Sequence, residues 1–457
     1  MKYINKKLIC LCVSLGILTG CASDAGTVSS PESTVKPVLM NMLEPVLPEA
    51  EPYPMEEDYL ESGSVNYEKY DEALRNWYSR QQELQTRSQA YQEQLHQFAE
   101  KLSGQLLNVS GDENAVYSPL NIYLALSMLC EATDGNTRAQ IMDLLGAEDM
   151  EGLRAAVQAL WEANYNTGDA LTSILSDSLW LDERLQYQEE LRQILADHYY
   201  ASSYIGDLDS EACSEAFRNW LNQATGGLLK DQANGITPTQ DTVMMLASAI
   251  YYRGRWVSGF ADTTEEIFHS PSGDIMCDMM HSEEEGTIYY GTNWKAAALG
   301  IQNSGRMWIV LPDEGTDLMD AVNDPAVREM MKDPSGCESR YGNVQMAVPK
   351  LDIMSDLDLK DSLTALGITD VFDPAKADYT PLSDQTDLYL DGARHVARLK
   401  ADEEGVEAAA YTVLVTNVTS IFIGDTIEFT ADRPFFFSLQ AADGSPLFEG
   451  IVNSPKS

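Results

Sequence analysis

The sequence predicts an α+β fold for the body of this 457-residue chain. Two observations indicate this class: apolar residues recur at helical spacing early in the body, and the last part, about 70 residues, reads as strands separated by turns. Helices early and strands late are typical of proteins whose helices and sheets form separate layers. A third observation, the lack of any periodic apolar pattern before about residue 65, marks where the body begins.

The N-terminus has the pattern of an export signal. Three lysines precede an apolar run from Leu8 to Leu18, which is too short to span a bilayer as a helix. The run ends in Leu18-Thr19-Gly20-Cys21, which resembles a bacterial lipobox. We therefore predict that residues 1–20 are a lipoprotein signal peptide and that Cys21 is lipidated. The alternative is an ordinary secretory signal cleaved near Ala22.

Residues 21–65 follow with many Pro, Glu and Ser residues. Such a composition cannot bury enough apolar surface to offset chain entropy, so we predict a disordered tether. It would hold the folded body, residues 66–457, away from the lipid. The expected location is the bacterial cell membrane, with the body extracellular or periplasmic.

The helical part of the body begins at Tyr67 and becomes clear where apolar residues are spaced by four, three, four and four: Tyr91, Leu95, Phe98, Leu102 and Leu106. Ser118-Pro119 then has the N-cap and first-turn residues that start a helix, and the apolar stretch after it indicates a buried one. Two further helices are predicted, from Glu189 to Tyr199 and from Glu211 to Gln223. A β-rich run is predicted from Thr242 to Tyr252.

The C-terminal part reads as strands from Ile421 to Thr430, Phe435 to Leu439 and Leu447 to Val452. Asp443-Gly444 supplies the turn before the last strand. We find no internal repeat.

Bulk charge and missing motifs exclude several function classes. The formal net charge of −42 argues against nucleic acid, whose phosphates are bound by Lys and Arg. The sequence has no HExxH, P-loop, GxGxxG or GxSxG motif, and its five histidines lack metal-ligand spacing. We therefore predict no catalytic residue, no metal and no cofactor.

Four cysteines remain after the signal and the lipidation site: Cys130, Cys213, Cys277 and Cys337. No two are close in sequence, so neither a zinc site nor a CxxC motif is predicted. Buried free thiols are the favoured interpretation, and a disulfide cannot be read from this spacing.

Three separated segments resemble one family. The first comprises Val116 to Ile122, Ala125 to Leu129 and Asp134 to Thr137. The second comprises Ser248 to Trp256 with Phe260, Phe268, Gly273 and Met279-Met280. The third comprises Phe429 to Leu439 and Leu447 to Gly450. Together they resemble the serpin family in the family's own order and spacing. The resemblance implies helices packed with large mixed β-sheets, an exposed reactive loop, and inhibition of proteases in place of catalysis.

Residues 402–420 occupy the place of that reactive loop. The resemblance implies that the loop is cut by a protease and then inserts as a new strand in the main sheet. Alternate residues of a strand face opposite sides, so every second residue must be small or apolar. Val406, Ala408, Ala410 and Thr412 would face inward, and Glu407, Ala409 and Tyr411 outward. The alternative is an ordinary edge strand preceded by a Gly bend.

The hinge of this loop is predicted over ten residues: Glu403, Glu404, Gly405, Val406, Glu407, Ala408, Ala409, Ala410, Tyr411 and Thr412. No Pro lies between Gly405 and Ser420, so no hydrogen-bond donor of the new strand is missing. Trp256 resembles the family's tryptophan where the loop enters the sheet; a merely packed core tryptophan is the alternative.

The bait bond has three candidates. Counting forward from Gly405 by the family's usual loop length gives Thr419-Ser420, and counting backward from Pro434 gives Ser420-Ile421. Val418-Thr419 is the third. Each presents a small uncharged residue to the pocket of a protease.

The residues around the bait also predict the kind of target. A trypsin-like protease requires Arg or Lys at the bait, and neither occurs between Lys400 and Arg433. We therefore expect an elastase-like serine protease, with subtilisin-like enzymes second and papain-like enzymes third. The expected partners are such proteases and, through Cys21, the membrane; the protein is expected to be a monomer.

His395 matches a family histidine beneath the sheet that governs its opening. Relatives have a serine in the early helix and an asparagine in the central strand, whereas this chain has Asn121 and Ser248 at those positions. After the exchange one hydroxyl and one amide are still present, so the same types of hydrogen-bonding group remain available to His395. Ser118 belongs to the same region. The alternative is a buried histidine without a switching role.

Two other functions stay open. A serpin-fold surface lipoprotein without inhibitory activity would serve a binding role. A solute- or glycan-binding lipoprotein of another class is suggested only by Cys21 and the acidic tether.

Overall fold

The computed structural model describes residues 8–9, 12–14, 40–49, 53–61, 63–168, 170–227, 238–406 and 425–455. Within these ranges the chain forms two large β-sheets with helices packed around them. The helices are α1 (Tyr67–Gln89), α2 (Gln92–Leu106), α3 (Pro119–Ala132), α4 (Gly135–Leu145), α5 (Met150–Asn164), α6 (Glu189–Tyr199), α7 (Glu211–Ala224), α8 (Leu318–Val322), α9 (Pro325–Lys332) and α10 (Lys360–Ala365). Short 3-10 turns lie at Glu56–Tyr59, Pro334–Gly336 and Asp370–Phe372.

Sheet I contains nine strands: β2 (Cys12–Ser14), β3 (Met40–Leu43), β7 (Asn166–Thr167), β8 (Leu171–Asp182), β9 (Ala201–Gly206), β10 (Met244–Arg255), β16 (Leu351–Asp358), β18 (Arg394–Ala401) and β19 (Gly405–Val406). Its main order is β16-β18-β19-β10-β8-β9-β3, with β2 beside β10 and β7 beside β8. The long antiparallel pair β8–β10 forms the centre of the sheet.

Sheet II also contains nine strands: β6 (Ala115–Tyr117), β11 (Asp262–Ser270), β12 (Gly273–Tyr290), β13 (Trp294–Gly300), β14 (Arg306–Pro312), β15 (Glu338–Pro349), β20 (Thr426–Thr430), β21 (Phe435–Gln440) and β22 (Pro446–Val452). Its order is β20-β15-β12-β13-β14-β21-β22-β6, with β11 beside β12. Two small pairings complete the strands: β1 (Leu8–Ile9) with β17 (Leu390–Gly392), and β4 (Leu60–Glu61) with β5 (Ser64–Val65).

The core lies between the two sheets, and α3 runs through it. Ser118 caps this helix by accepting a hydrogen bond from the Asn121 backbone N–H, and Pro119 occupies its first turn. All 14 residues of α3 are buried. The helix packs against β10 of sheet I and β22 of sheet II. The predicted start of a buried helix at Ser118-Pro119 therefore agrees with the structure.

The α+β class is confirmed, and several predicted elements agree closely in extent. Helix α6 has the predicted limits, and α7 extends one residue beyond Gln223. The turn before β22 places Gly444 at φ +91°, a left-handed conformation that glycine adopts without strain. Of the predicted strand from Ile421 to Thr430, residues 421–424 lie outside the described residues, Asp425 is not in a strand, and β20 covers Thr426–Thr430.

Part of the region predicted as a disordered tether has regular structure. Strand β3 pairs antiparallel with β9, and the Tyr53 ring packs edge-on against Trp77 of α1 at 5.1 Å. The backbone pairing of β3 and the contact between Tyr53 and Trp77 account for this difference, because the average composition of a segment does not show such individual contacts. Ordered segments therefore reach into 40–61, and the rest of the 21–65 boundary stays a prediction.

Candidate functional site

A tight turn at the end of β18 positions the start of the predicted reactive loop. The Asp402 backbone N–H donates to the Gly405 carbonyl at 3.0 Å. The Asp402 carboxylate accepts from the Glu404 backbone N–H at 2.9 Å, so the aspartate side chain closes the turn. The chain thereby reverses direction and leads into β19.

Trp256 fixes this turn from the other side. Its indole Nε1–H donates to the Asp402 carbonyl at 2.9 Å, and its backbone N–H donates to the Glu404 carbonyl at 3.0 Å. The Phe260 backbone N–H donates to the Glu403 carbonyl at 3.0 Å. Trp256 is only 2% exposed. The structure therefore places this tryptophan at the base of the loop, and its polar edge is bonded to the turn.

Glu403 ties the turn to neighbouring strands. Lys350 forms an ion pair with its carboxylate at 2.7 Å, and the Thr263 hydroxyl donates to the same carboxylate at 2.5 Å. Partial burial acts to raise the pKa of Glu403, but the bonds from Lys350 and Thr263 outweigh it and lower the pKa. The carboxylate is therefore held in its charged form as an anchor.

Strand β19 lies between β10 and β18. Gly405 pairs with Arg255 and Val406 with Gly254, and Val406 also pairs with Ala401 of β18. Both pairings are antiparallel. In the ranges that the structure describes, β19 stands between β10 and β18 where the order of sheet I would otherwise join them. Sheet I therefore has a space one strand wide, and the start of the loop occupies one end of it.

A second segment lies further along the same space. Strand β2 pairs with β10 at Ala247, Ser248 and Ala249 and contacts β18. It runs parallel to β10, whereas β19 runs antiparallel. Residues 12–14 belong to the predicted signal peptide, so β2 would be absent from this space once the signal is removed.

His395 is a residue of β18 in sheet I, and it is fully buried. Its Nε2 accepts a hydrogen bond from the Ser118 backbone N–H at 3.0 Å, so the ring is neutral with its proton on Nδ1. Burial lowers the pKa of His395 to about 3, and the nearby Asp356 opposes this only in part. The imidazole is therefore uncharged at neutral pH.

Asn121 and Ser248 are buried near the middle of the molecule, but neither bonds to His395 within the described residues. Both amide atoms of Asn121, the Ser248 hydroxyl and His395 Nδ1 have no hydrogen-bond partner there. The expected hydroxyl and amide partners of His395 are thus replaced by the Ser118 backbone.

Asp177 is a member of this region that the sequence analysis missed. It lies directly opposite Ser248 in the β8–β10 pair and is buried. Burial raises the pKa of Asp177 to about 7, although the nearby side chains of Ser248 and Trp161 act to lower it. An isolated carboxylate between Leu175 and Leu179 in an apolar strand was the available signal.

Two residues that hold the turn were missed from the sequence: Thr263 on β11 and Lys350 in the link between β15 and β16. They are ordinary polar residues in separate parts of the chain, and only the fold brings them together. The described residues contain no group of three or more His, Cys, Asp or Glu side chains that could hold a metal ion. Within the described ranges, no helix combines the length and apolar character needed to cross a membrane.

Many predicted site residues lie outside the described residues. These are the lipidation site, the later hinge and the bait candidates: Cys21, Glu407, Ala408, Ala409, Ala410, Tyr411, Thr412, Val418, Thr419, Ser420 and Ile421. The four cysteines of the body lie in the described residues, where no disulfide joins them, and Cys337 is the most exposed of the four.

Comparison with known proteins covers most of the chain. The family described as "Serpin (serine protease inhibitor)" matches residues 93–455. Mouse (Mus musculus) neuroserpin is 25% identical over 385 residues, which are 80% of this chain and 92% of that protein. Human (Homo sapiens) serpin B8 is 27% identical over 365 residues, 77% of this chain and 96% of the other.

Two solved structures share the fold. The thermophilic serpin tengpin in its native state has a TM-score of 0.70 and 24% identity, covering 79% of this chain and 93% of its own. Human thyroxine-binding globulin, in complex with thyroxine, has a TM-score of 0.69 and 23% identity, covering 82% of this chain and 100% of its own.

Proposed function

The chain belongs to the serpin family, and we propose that it is an irreversible, suicide-type inhibitor of serine proteases whose bait lies in the loop that begins at Gly405. The observation that carries this proposal is the position of β19. Gly405 and Val406 stand antiparallel between β10 and β18, which is the arrangement that a loop inserting from this end of sheet I requires. The loop that follows, from Glu407 to Gly424, would continue the same strand.

The proposed reaction begins as ordinary proteolysis. The protease serine oxygen adds to the bait carbonyl, and the bond to the following nitrogen breaks as that nitrogen takes a proton. An ester then joins the loop to the protease. The freed loop inserts beyond Val406, drags the protease with it and distorts the protease active site before water can hydrolyse the ester. The inhibitor supplies a bait and stored conformational energy, and its native state is held by a kinetic barrier.

The residues after Val406 support insertion. Ala408, Ala410 and Thr412 would face inward with Val406, which is already 2% exposed. Small residues fit beneath a sheet whose interior is close-packed. Glu407 and Tyr411 would face the opposite side, where charge and bulk are tolerated.

The bait we propose is Thr419-Ser420, with Ser420-Ile421 and Val418-Thr419 as alternatives, and the target is an elastase-like protease. Each bond presents a small uncharged side chain suited to a shallow pocket. We further propose that the chain is exported and held at a bacterial membrane through Cys21, as a monomer.

One experiment tests the inhibitory mechanism. The protein is incubated with an elastase-type serine protease and analysed on a denaturing gel. We expect a covalent complex, and mass spectrometry of the released C-terminal fragment would identify the bait bond. Cleavage of the loop without any complex would refute inhibition.

A second candidate is a serpin without inhibitory activity that binds a ligand. Thyroxine-binding globulin, whose structure was solved with a bound ligand, shares the fold with a TM-score of 0.69, so the fold is compatible with such a role. The two functions predict different changes in thermal stability when the loop is cut. An inhibitor cut in its loop gains a strand and should melt at a much higher temperature, whereas this candidate is expected to show no such rise.

A further inference from the structure

Basic side chains line the outer face of sheet I on both sides of the space that β19 enters. Arg253 and Arg255 lie on β10, Arg398 and Lys400 lie on β18, and all four are partly exposed. The residues that alternate with them along both strands are buried. Successive residues of a strand face opposite sides of its sheet, so these four side chains share the outer face. This local set of cations contrasts with the formal net charge of −42 of the whole chain.

Two of these cations, Arg253 and Lys400, form what we call the receiving pair. Arg253 lies opposite Thr172 of β8, and its Nη2 donates to the Thr172 hydroxyl at 3.3 Å. Lys400 lies opposite Asp352 of β16, and its Nζ is 3.3 Å from the Asp352 carboxylate. Arg398 donates two hydrogen bonds of 2.8 Å to that same carboxylate. One carboxylate therefore serves two cations, and Lys400 keeps an attraction for a second one.

The pairing of β19 fixes which residue of the loop would meet the receiving pair. Val406 pairs antiparallel with Gly254 on one side and with Ala401 on the other. A strand that continues from Val406 therefore places its next residue opposite both members of the receiving pair. That residue is Glu407, which itself lies outside the described residues. Neighbouring strands lie about 4.8 Å apart, so the long side chains on both flanks can reach a carboxylate on the strand between them.

Glu407 is the only residue from 407 to 424 that carries a charge at neutral pH. A slip of one residue further into the sheet would turn its carboxylate inward, between Tyr252 and Leu399, which are 2% and 0% exposed. Burying a carboxylate there without a partner is costly. A slip of two residues keeps the carboxylate on the outer face but moves it away from the receiving pair. The one charge of the loop therefore meets both cations in a single register.

We propose that the receiving pair binds the Glu407 carboxylate as the cut loop enters sheet I and thereby sets the register of the new strand. This inference rests on the proposed function and names the residues that position the inserting strand. Glu407 is the first residue to enter beyond Val406, so its contact with the pair forms before the rest of the strand. The contact therefore speeds insertion relative to hydrolysis of the ester, and that competition decides whether the protease is trapped.

The test is a mutant cycle on the full-length protein. Glu407→Gln changes the loop alone, Arg253→Gln with Lys400→Gln removes the receiving pair, and a third variant combines all three changes. Arg75→Gln with Lys101→Gln removes two exposed cations elsewhere and is the matched control. Titration of an elastase-type serine protease gives the number of inhibitor molecules consumed per protease. Each protein is also cut in its loop with the metalloprotease thermolysin, which forms no acyl-enzyme, and the cut protein is melted in a calorimeter.

We expect the consumption in excess of one molecule per protease to rise about fivefold when either side of the contact is removed, because both changes abolish the same two partly exposed ion pairs. The combined variant should be no worse than Glu407→Gln, since the three side chains act through one contact. High salt should bring the parent close to the variants, and the control should match the parent. The cut variants should also melt below the cut parent.

Three results would contradict us in different ways. Additive effects in the combined variant, or a Glu407→Gln variant that behaves as the parent, would exclude the receiving pair and leave inhibition intact. A parent that forms no covalent complex but melts at a higher temperature once cut would refute inhibition, and the melting temperatures of the cut variants would still decide on the receiving pair. A cut parent without any gain in melting temperature would show that the loop does not insert, and both proposals would be wrong.

Discussion

The backbone of Gly405 lies so close to Gly254 that a Cβ atom at position 405 would stand 2.2 Å from the Gly254 carbonyl oxygen. Real Cβ atoms do not approach backbone atoms so closely, and neither strand can move without breaking the pairing of β19 with β10. Glycine at this position therefore permits the start of the loop to enter sheet I.

Substitution of Gly405 tests this relationship. We expect Gly405→Val to expel β19 from the space between β10 and β18, because the side chain has no room. Insertion after cleavage would then be slower than hydrolysis of the ester, and the protease would leave with a cut substrate. The number of inhibitor molecules consumed per protease inactivated should rise several-fold. Gly336→Val is the matched control, since a Cβ there meets nothing within 4 Å; an equal effect in both variants would contradict the prediction.

The predicted alternation of inward-facing and outward-facing residues along the loop can be tested by placing the same charge at two adjacent positions. Ala410→Glu should convert the inhibitor to a substrate, because it buries a carboxylate without a partner. Ala408→Pro should do the same by removing a hydrogen-bond donor of the new strand. Ala409→Glu places the same charge on the outward face and should retain inhibition. Covalent complex on a denaturing gel is the readout, and the assignment fails if Ala409→Glu is the damaging variant.

The indole N–H of Trp256 should matter more than its ring volume. Trp256→Phe keeps an aromatic group but leaves the Asp402 carbonyl without this donor, at an expected cost of about 1 kcal/mol. We expect a lower melting temperature and faster spontaneous loss of inhibitory activity on storage, because the turn is less firmly held. Unchanged stability would mean that the bond at 2.9 Å contributes nothing.

Asp177 predicts how stability depends on pH. Burial raises its pKa from 3.8 to about 7 in the folded protein, so the folded state binds the proton more readily than the unfolded state. The stability due to the protonated form is complete below pH 3.8 and is lost as the pH rises through 7. The difference is on the order of 4 kcal/mol.

Asp177→Asn removes this titration. We expect the variant to melt at a higher temperature than the parent at pH 8 and at a similar temperature at pH 5, measured by calorimetry at a fixed scan rate. Asp71→Asn, on the exposed side of α1, is the control and should leave the pH profile unchanged. A parent whose melting temperature does not fall between pH 5 and pH 8 would exclude this role for Asp177.

Local sequence patterns predicted the helices α2 and α3 well, because a single physical rule is enough to identify each of them. Ser118-Pro119 predicted the start of α3, because a capping hydroxyl followed by proline has few other uses. Apolar spacing from Tyr91 to Leu106 predicted α2 for the same kind of reason. Positions that depend on partners distant in sequence were not predictable. Glu403 is anchored by Thr263 and Lys350, more than fifty residues away, and nothing local marks either residue.

The family resemblance predicted Trp256 where the loop enters the sheet, and in the structure its indole N–H donates to the carbonyl of Asp402 in the turn after β18. The resemblance also led us to expect side-chain partners for His395, where the structure has the Ser118 backbone. The residue types at these positions show which hydrogen-bonding groups are present but not how those groups are oriented. Orientation depends on packing around the ring, which no single segment of sequence contains.

The pairing of Met40–Leu43 with β9 protects the protein against aggregation through the edge of sheet I. Without it, β9 would offer a row of unpaired N–H and C=O groups to a second molecule of the same protein. The outermost strand is instead only four residues long, and Glu44 and Pro45 follow it directly. The charge of Glu44 and the missing N–H of Pro45 disfavour pairing of a further strand at this edge. A shortened protein beginning near Tyr67 should therefore precipitate at concentrations at which the longer chain stays dispersed.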